Sequence, residues 1–236
     1  MNFLFKNEVV DYNFFNNKKE DTILFLHGWG GNKFSFSKTL NLLHCNYNIL
    51  TATIPTIHPT TSVWNLFDYV ALIENILALH EIKNPIVICH SFGLRLTMLL
   101  NKKIAIKKIV ITGGAGIKKE NIFIKITKNH NKIMLKSQNF KNFYKKIASP
   151  DYLSLSTTNK ETFKNIVNLN LKFATKFECP ILLFWGKKDI DTPLWIARKI
   201  KRENNAILIK VNSNHFAYLN ENSKFNHCVL KFLKNN

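Results

Sequence analysis

Short unbroken apolar runs punctuate this chain, and most of them end in a loop of glycine, serine, asparagine or proline. The runs are Thr22–Leu26, Tyr47–Thr53, Ile86–Cys89, Lys107–Ile111, Ile181–Trp185 and Ala206–Val211. Runs of this length and character predict strands, the first of them fit for burial on both faces. Between them the apolar period lengthens to that of a helix, over about 34–43, 63–80, 94–101, 193–202 and 216–233. In the second of these, Leu66, Tyr69, Val70, Ile73, Ile76 and Leu77 share one face, with Ser62 as the predicted cap. The segment Phe3–Phe15 alternates instead, which predicts one or two antiparallel strands joined near Lys6-Asn7. Strand, loop and helix in repetition predict an α/β fold with a mostly parallel central sheet flanked by helices.

The pattern changes after Gly116. Residues 117–176 are rich in Lys and Asn, with helical periodicity, a break at Pro150-Asp151 and no clear buried strand. A helix is predicted from near Glu161, with Thr157 or Thr158 as its cap. The expected organisation is a core of residues 1–116 and 177–236 carrying a helical cap inserted at 117–176.

Composition adds one unusual feature. A length of 236 residues, 46% hydrophobic and 21% charged, suits one large globular domain. The charge does not: 34 Lys and Arg against 15 Asp and Glu give +19. The lysines are scattered, and the accompanying wealth of Asn, Ile and Phe favours A/T-rich codon bias over a functional charge. No nucleic-acid-binding motif is present. The span 117–147 concentrates the question, with Lys118, Lys119, Lys125, Lys128, Lys132, Lys136, Lys141, Lys145 and Lys146 against a single acid, Glu120. A solvated face is favoured there, and the competing reading is a docking surface for an acidic carrier protein or anionic lipid. Cys45, Cys89, Cys179 and Cys228 lack metal-ligand spacing, so no metal is expected. Neither a signal peptide nor a run of membrane-spanning length is evident, which makes the cytoplasm the default.

The chemistry is concentrated at the ends of three predicted strands. The run Ile86–Cys89 stops at His90-Ser91-Phe92-Gly93 and passes at once into a helix, the arrangement that lifts a nucleophilic serine above a sheet. A serine needs a base and a carboxylate to orient it. Asp189 follows the strand ending at Trp185, and His215 follows the strand ending at Val211. Asp189 is preferred to Asp191, which precedes Thr192-Pro193 and can simply cap the helix that follows. The loop His27-Gly28-Trp29-Gly30-Gly31 sits where a second oxyanion donor belongs, so the oxyanion hole is assigned to the N–H groups of Trp29 and Phe92. His27, Gly28, Gly30, His90 and Gly93 read as supports of these loops. Trp185 reads as a buried strand end, and Asp68 and Glu74 as solvent-facing. His44, His58, His80, His130 and His227 read as surface or packing residues.

These pieces together resemble the α/β-hydrolase superfamily over nearly the whole chain. The matching motifs are His27-Gly28-Trp29-Gly30-Gly31, His90-Ser91-Phe92-Gly93, Trp185-Gly186-Lys187-Lys188-Asp189 and Asn214-His215-Phe216, in the chain order Ser, Asp, His. Ala115-Gly116-Ile117-Lys118 and Val167-Asn168-Leu169-Asn170-Leu171 are similar to stretches of a bacterial subgroup of that superfamily. The resemblance implies a serine esterase that needs no cofactor and cleaves small carboxylic esters through an acyl-enzyme, with Trp29 also lining the acyl pocket. Thioesterase, lipase and acyl-carrier methyl-ester esterase are the alternatives; aminopeptidase, carbon–carbon hydrolase and a non-catalytic binding protein rank lower. Two departures stand out. Cys89 replaces the first glycine of the usual Gly-x-Ser-x-Gly, which predicts a slightly strained turn. Leu94 stands where many relatives have glycine, which predicts looser helix–strand packing.

Overall fold

The structure is a computed structural model that describes residues 1–58, 60–118 and 155–234. Among them are the strands β1 (Asn2–Phe5), β2 (Glu8–Phe15), β3 (Thr22–Leu26), β4 (Asn48–Ala52), β5 (Ile86–His90), β6 (Lys108–Thr112), β7 (Ile181–Gly186) and β8 (Ile207–Val211). The helices are α1 (Ser37–Leu43), α2 (Leu66–Leu79), α3 (Phe92–Leu100), α4 (Thr157–Asn168), α5 (Trp195–Asn204), α6 (Ala217–Asn220) and α7 (Asn222–Lys234). The strands form one sheet in the order β1-β2-β4-β3-β5-β6-β7-β8. Pairing is antiparallel for β1–β2 and β2–β4 and parallel from β4 to β8.

Every residue of β3, β4, β5, β6 and β7 is buried, which is why these strands read as continuous apolar runs. Both faces are covered. One core layer joins the sheet to α2, α3 and α5; the other joins it to α1 and α7. The hairpin β1–β2 turns through Lys6 and Asn7, both at positive φ (50° and 63°), the geometry that matches the twist of paired strands. From β3 the chain crosses one way to β4 and then back over to β5. The sheet therefore has its switch point between β3 and β5, and the crevice at their carboxyl ends is where ligand sites of such sheets form.

Helix starts differ from the sequence expectation for tertiary reasons. Helix α2 starts at Leu66, not Val63, and its cap is Asn65 rather than Ser62. Asn65 Oδ1 accepts from the N–H groups of Phe67 and Asp68, and Asp68 Oδ2 accepts from Asn65 N–H in return. Trp64 N–H is held outside the helix by Thr162 Oγ1 at 2.9 Å. Asp68 also pairs with Lys6 at 2.8 Å, so it is not simply solvent-facing; Glu74 likewise pairs with Lys103. Helix α4 starts near Thr157 because Ser156, not Thr157 or Thr158, is its cap, accepting from Asn159 N–H at 3.1 Å. The C-terminal helix is split at Glu221. Just before the break, Asn220 Nδ2 is drawn to Ser213 Oγ and Asn214 Oδ1.

Helix α4 lies within the segment expected to form a cap, and its attachments are polar. Asn159, 1% exposed, donates to the carbonyls of Thr56 and His58 and accepts from Thr60 N–H and Oγ1. At the other end, the buried Arg95 of α3 donates through Nη1 to the carbonyls of Ile166 and Leu169 at 2.8 and 2.9 Å. A cation at the carbonyl end of a helix satisfies unpaired acceptors and complements the helix dipole. Burial pushes the Arg95 guanidinium down to about 10. Leu171 N–H donates to Gly116 O and Lys118 N–H to Asn170 Oδ1, so the stretches 115–118 and 167–171 meet in the fold. Lys118 is exposed; Glu120, His130, Pro150-Asp151 and the lysines from Lys119 to Lys146 lie outside the described residues.

The packing around α3 is not loosened by Leu94. A Cβ at Gly93 would sit 2.3 Å from the carbonyl oxygen of Leu26, so α3 and β3 touch backbone to backbone at that point. Leu94 is fully buried and fills the space beside Gly114, where a Cβ would lie 2.4 Å from its Cδ2. Accordingly, Leu94→Ala is expected to cost about 2–5 kcal/mol, as for other buried leucines. Gly93→Ala is expected to cost at least about 1–3 kcal/mol, because the obstructing atom is main chain. Urea midpoints at constant m-value measure both, and a midpoint unchanged in Gly93→Ala would refute the backbone contact.

Candidate active site

Ser91 sits at the carboxyl end of β5, ahead of the first turn of α3, at φ 48° and ψ −110°. Positive φ is uncommon for a residue with a Cβ and persists only where the surroundings enforce it. Here they do. Ser91 N–H donates to Thr112 O at 3.2 Å, and its carbonyl accepts from Leu94 N–H (3.1 Å) and Ala115 N–H (3.0 Å). The turn is accommodated with Cys89 in place of glycine. Cys89 is fully buried, and burial pushes its thiol up to about 12, so it is an inert filler beneath the elbow.

Two loops from the far side of the sheet meet beside this turn. His215 Nδ1 lies 3.0 Å from Asp189 Oδ2. Thr192 closes the pair. Its N–H donates to Asp189 Oδ1 and its hydroxyl to Asp189 Oδ2, each at 2.8 Å, and the hydroxyl oxygen is 3.2 Å from His215 Nδ1. Burial alone would raise the Asp189 carboxyl, but hydrogen bonds from His215 and Thr192 outweigh it and hold the group below its ordinary value. Trp185, fully buried, donates its indole N–H to Thr192 O at 2.7 Å and anchors this loop to β7. Asp191 is exposed and does not cap α5, whose N-terminus has no side-chain cap. Oxygens of Asp189 and Asp191 and a ring nitrogen of His215 lie within 4.8 Å of one another, a spacing a cation could bridge. Both Asp189 oxygens, however, already accept from Thr192.

The supporting histidines are buried and neutral. His90 Nε2–H donates to the carbonyl of His215 at 3.2 Å, and the two rings lie 4.7 Å apart, tilted by 48°, which ties the residue before Ser91 to the histidine loop. A Cβ at Gly28 would meet His90 Nδ1 at 2.7 Å, and one at Gly113 would meet His215 Nδ1 at 3.0 Å, so both loops close on the histidines only as glycine. His27 Nε2 accepts from Ile54 N–H, which puts its proton on Nδ1, facing Gly28 O at 2.7 Å. Gly30 N–H is taken by Thr56 Oγ1.

Phe92 is the first residue of α3, so its N–H is one of the four at a helix start that have no acceptor in the helix. The Trp29 ring meets Phe92 edge-on at 5.6 Å and Phe163 of α4 at 5.1 Å. These ring contacts join the loop after β3 to α3 and α4. Thr192, Arg95, Asn159 and Phe163 were not singled out by sequence reasoning. The signals available were a threonine three residues beyond Asp189 and a lone arginine inside an apolar helix.

Neither a protein-family model nor a curated protein matches the chain. Solved structures do. A hydrolase from Pseudomonas aeruginosa aligns with a TM-score of 0.76 at 14% identity, over 99% of this chain and 98% of that one. An esterase from Exiguobacterium antarcticum gives 0.75 at 15% identity, and an enol-lactonase from Burkholderia xenovorans 0.74 at 11%, each over 99% of both chains. Others are described as α/β hydrolases. The chain has the α/β-hydrolase fold.

Burial lowers His27 to about 4 and His90 to about 3, the nearby His215 adding to the second effect. The unfolded chain takes up protons near pH 6.5 that the folded protein refuses. Stability should therefore be complete above about pH 6.5 and fall steadily as the pH drops toward 4, by on the order of 3 kcal/mol for His27 alone. Urea midpoints between pH 7.5 and 4.5 follow this, and a flat profile, or an NMR titration of either ring near pH 6.5, would contradict it.

Proposed function

We propose that the protein is a serine hydrolase that cleaves carboxylic esters through an acyl-enzyme. The observation that carries this reading is the enforced positive-φ turn at Ser91 beside a buried Asp189–His215 hydrogen bond. In the proposed reaction, His215 Nε2 removes the Ser91 proton as Ser91 Oγ attacks the ester carbonyl. The N–H groups of Trp29 and Phe92 receive the oxyanion, which forms where helix-start donors are already oriented. Asp189 holds the imidazolium that results. His215 then passes its proton to the departing alcohol, and water activated by the same ring releases the acid.

Ester chemistry is preferred for three reasons. The leaving group is protonated by the one base the site offers, so no metal or organic cofactor enters any step. The rings of Trp29, Phe92 and Phe163 pack on one another beside the Ser91 elbow, apolar surroundings that suit an acyl group. Among the similar structures, one is named an esterase and another an enol-lactonase. Thioesters use the same steps and are the nearest alternative substrates.

A fluorophosphonate probe should label the wild-type protein at Ser91 and leave Ser91→Ala unlabelled. Turnover of p-nitrophenyl esters should fall roughly 10⁴- to 10⁶-fold in that variant, the scale of losing a nucleophile. A chain-length series run beside a thioester and a carrier-bound methyl ester ranks the substrate classes. Ser91→Ala with near-normal turnover would sink the reading.

A further inference from the structure

The contacts of Thr192 go beyond holding a loop. Asp189 Oδ2 receives two groups, the Thr192 hydroxyl at 2.8 Å and His215 Nδ1 at 3.0 Å, and those two are themselves 3.2 Å apart. A carboxylate only accepts, so each group facing it must present a proton. A hydroxyl has one proton, and here it is spent on Asp189. Toward His215 the Thr192 oxygen therefore offers only lone pairs. His215 Nδ1 thus faces two acceptors and no donor, which places the proton of the neutral ring on Nδ1 and leaves Nε2 as the lone pair.

We propose that Thr192 is a positioning residue whose hydroxyl, bonded to Asp189 and offering a second acceptor to Nδ1–H, holds the orientation of the His215 ring. The inference rests on the reading of His215 as the general base. The burial is consistent with it: Thr192 is 5% exposed, and the indole of Trp185 fixes its carbonyl at 2.7 Å, so the hydroxyl cannot be replaced by bulk water at no cost. Other ionisable groups reach the same ring. Asp191, exposed, lies within the 4.8 Å group with Asp189 and His215. His90 lies against it at 4.7 Å, tilted, and burial keeps it neutral. With the hydroxyl gone, Asp189 alone would hold Nδ1–H, its carboxylate would become more basic, and the ring would gain freedom to swing toward Asp191.

The test compares Thr192→Val, which keeps shape and loses the hydroxyl, with Thr192→Ser, which keeps the hydroxyl. In ¹⁵N NMR of the imidazole at pH 8, wild type and Thr192→Ser should share one signal for the protonated Nδ1, and Thr192→Val should show that signal displaced. In p-nitrophenyl ester turnover, Thr192→Val should lose about tenfold in kcat with KM little changed, the rate equivalent of one hydrogen bond to a charged group. The acidic limb of its kcat/KM profile should move to higher pH, because Asp189 loses a donor that holds it ionised. Thr192→Ser should restore both. Identical ¹⁵N signals in wild type and Thr192→Val, or a Thr192→Ser as impaired as Thr192→Val, would overturn the proposal. If Thr192→Val does not fold, the Thr192→Ser result alone decides between hydroxyl and packing. A wild type that no fluorophosphonate labels would instead indict the reading of the site, while the NMR comparison still tests what Thr192 does to the ring.

Discussion

Helix α3 runs so close to β3 that position 93 has no room for a side chain, and the rest of the crevice is built on that contact. A Cβ there would lie 2.3 Å from the Leu26 carbonyl, and α3 starts one residue after β5 ends. The chain then has a single residue, Ser91, in which to turn from strand to helix. A one-residue reversal demands a backbone conformation that side chains resist, and the neighbouring β6 loop supplies the hydrogen bonds that hold it. The same approach brings the helix-start N–H groups against the carboxyl end of the sheet, where the field of the helix favours negative charge.

On the other side of the crevice the controlling physics is desolvation. A carboxylate taken from water is tolerated only when its oxygens are occupied. Asp189 meets this condition through Thr192 and His215, and it remains ionised although it is 5% exposed. His27 and His90 answer the same pressure in the opposite way, by giving up their charge.

Much of the architecture is legible in the sequence because burial on both faces leaves an unambiguous trace. The strands β3 to β7 appear as apolar runs within a residue or two of their observed limits. Helix starts are less legible, since they depend on partners far along the chain: Thr162 holds Trp64 out of α2, and Asn220 reaches back to Ser213. Leu94 shows the same effect in packing, because the room it needs is made by Gly114, twenty residues away. At the crevice, the meeting of Asp189 with His215 follows from their places after successive strands. Thr192 and Asn159 do not announce themselves, because a single hydroxyl or amide carries no period and its role is set by what the fold brings to it.

Asn159 has one more consequence. Its amide grips Thr56, His58 and Thr60 largely through their peptide groups, and Arg95 grips Ile166 and Leu169 through carbonyls in the same manner. Attachments of this kind are indifferent to which side chains the gripped segments carry. The side chains at the gripped positions can therefore change, one at a time, while the main-chain attachments that seat α4 on the core stay in place.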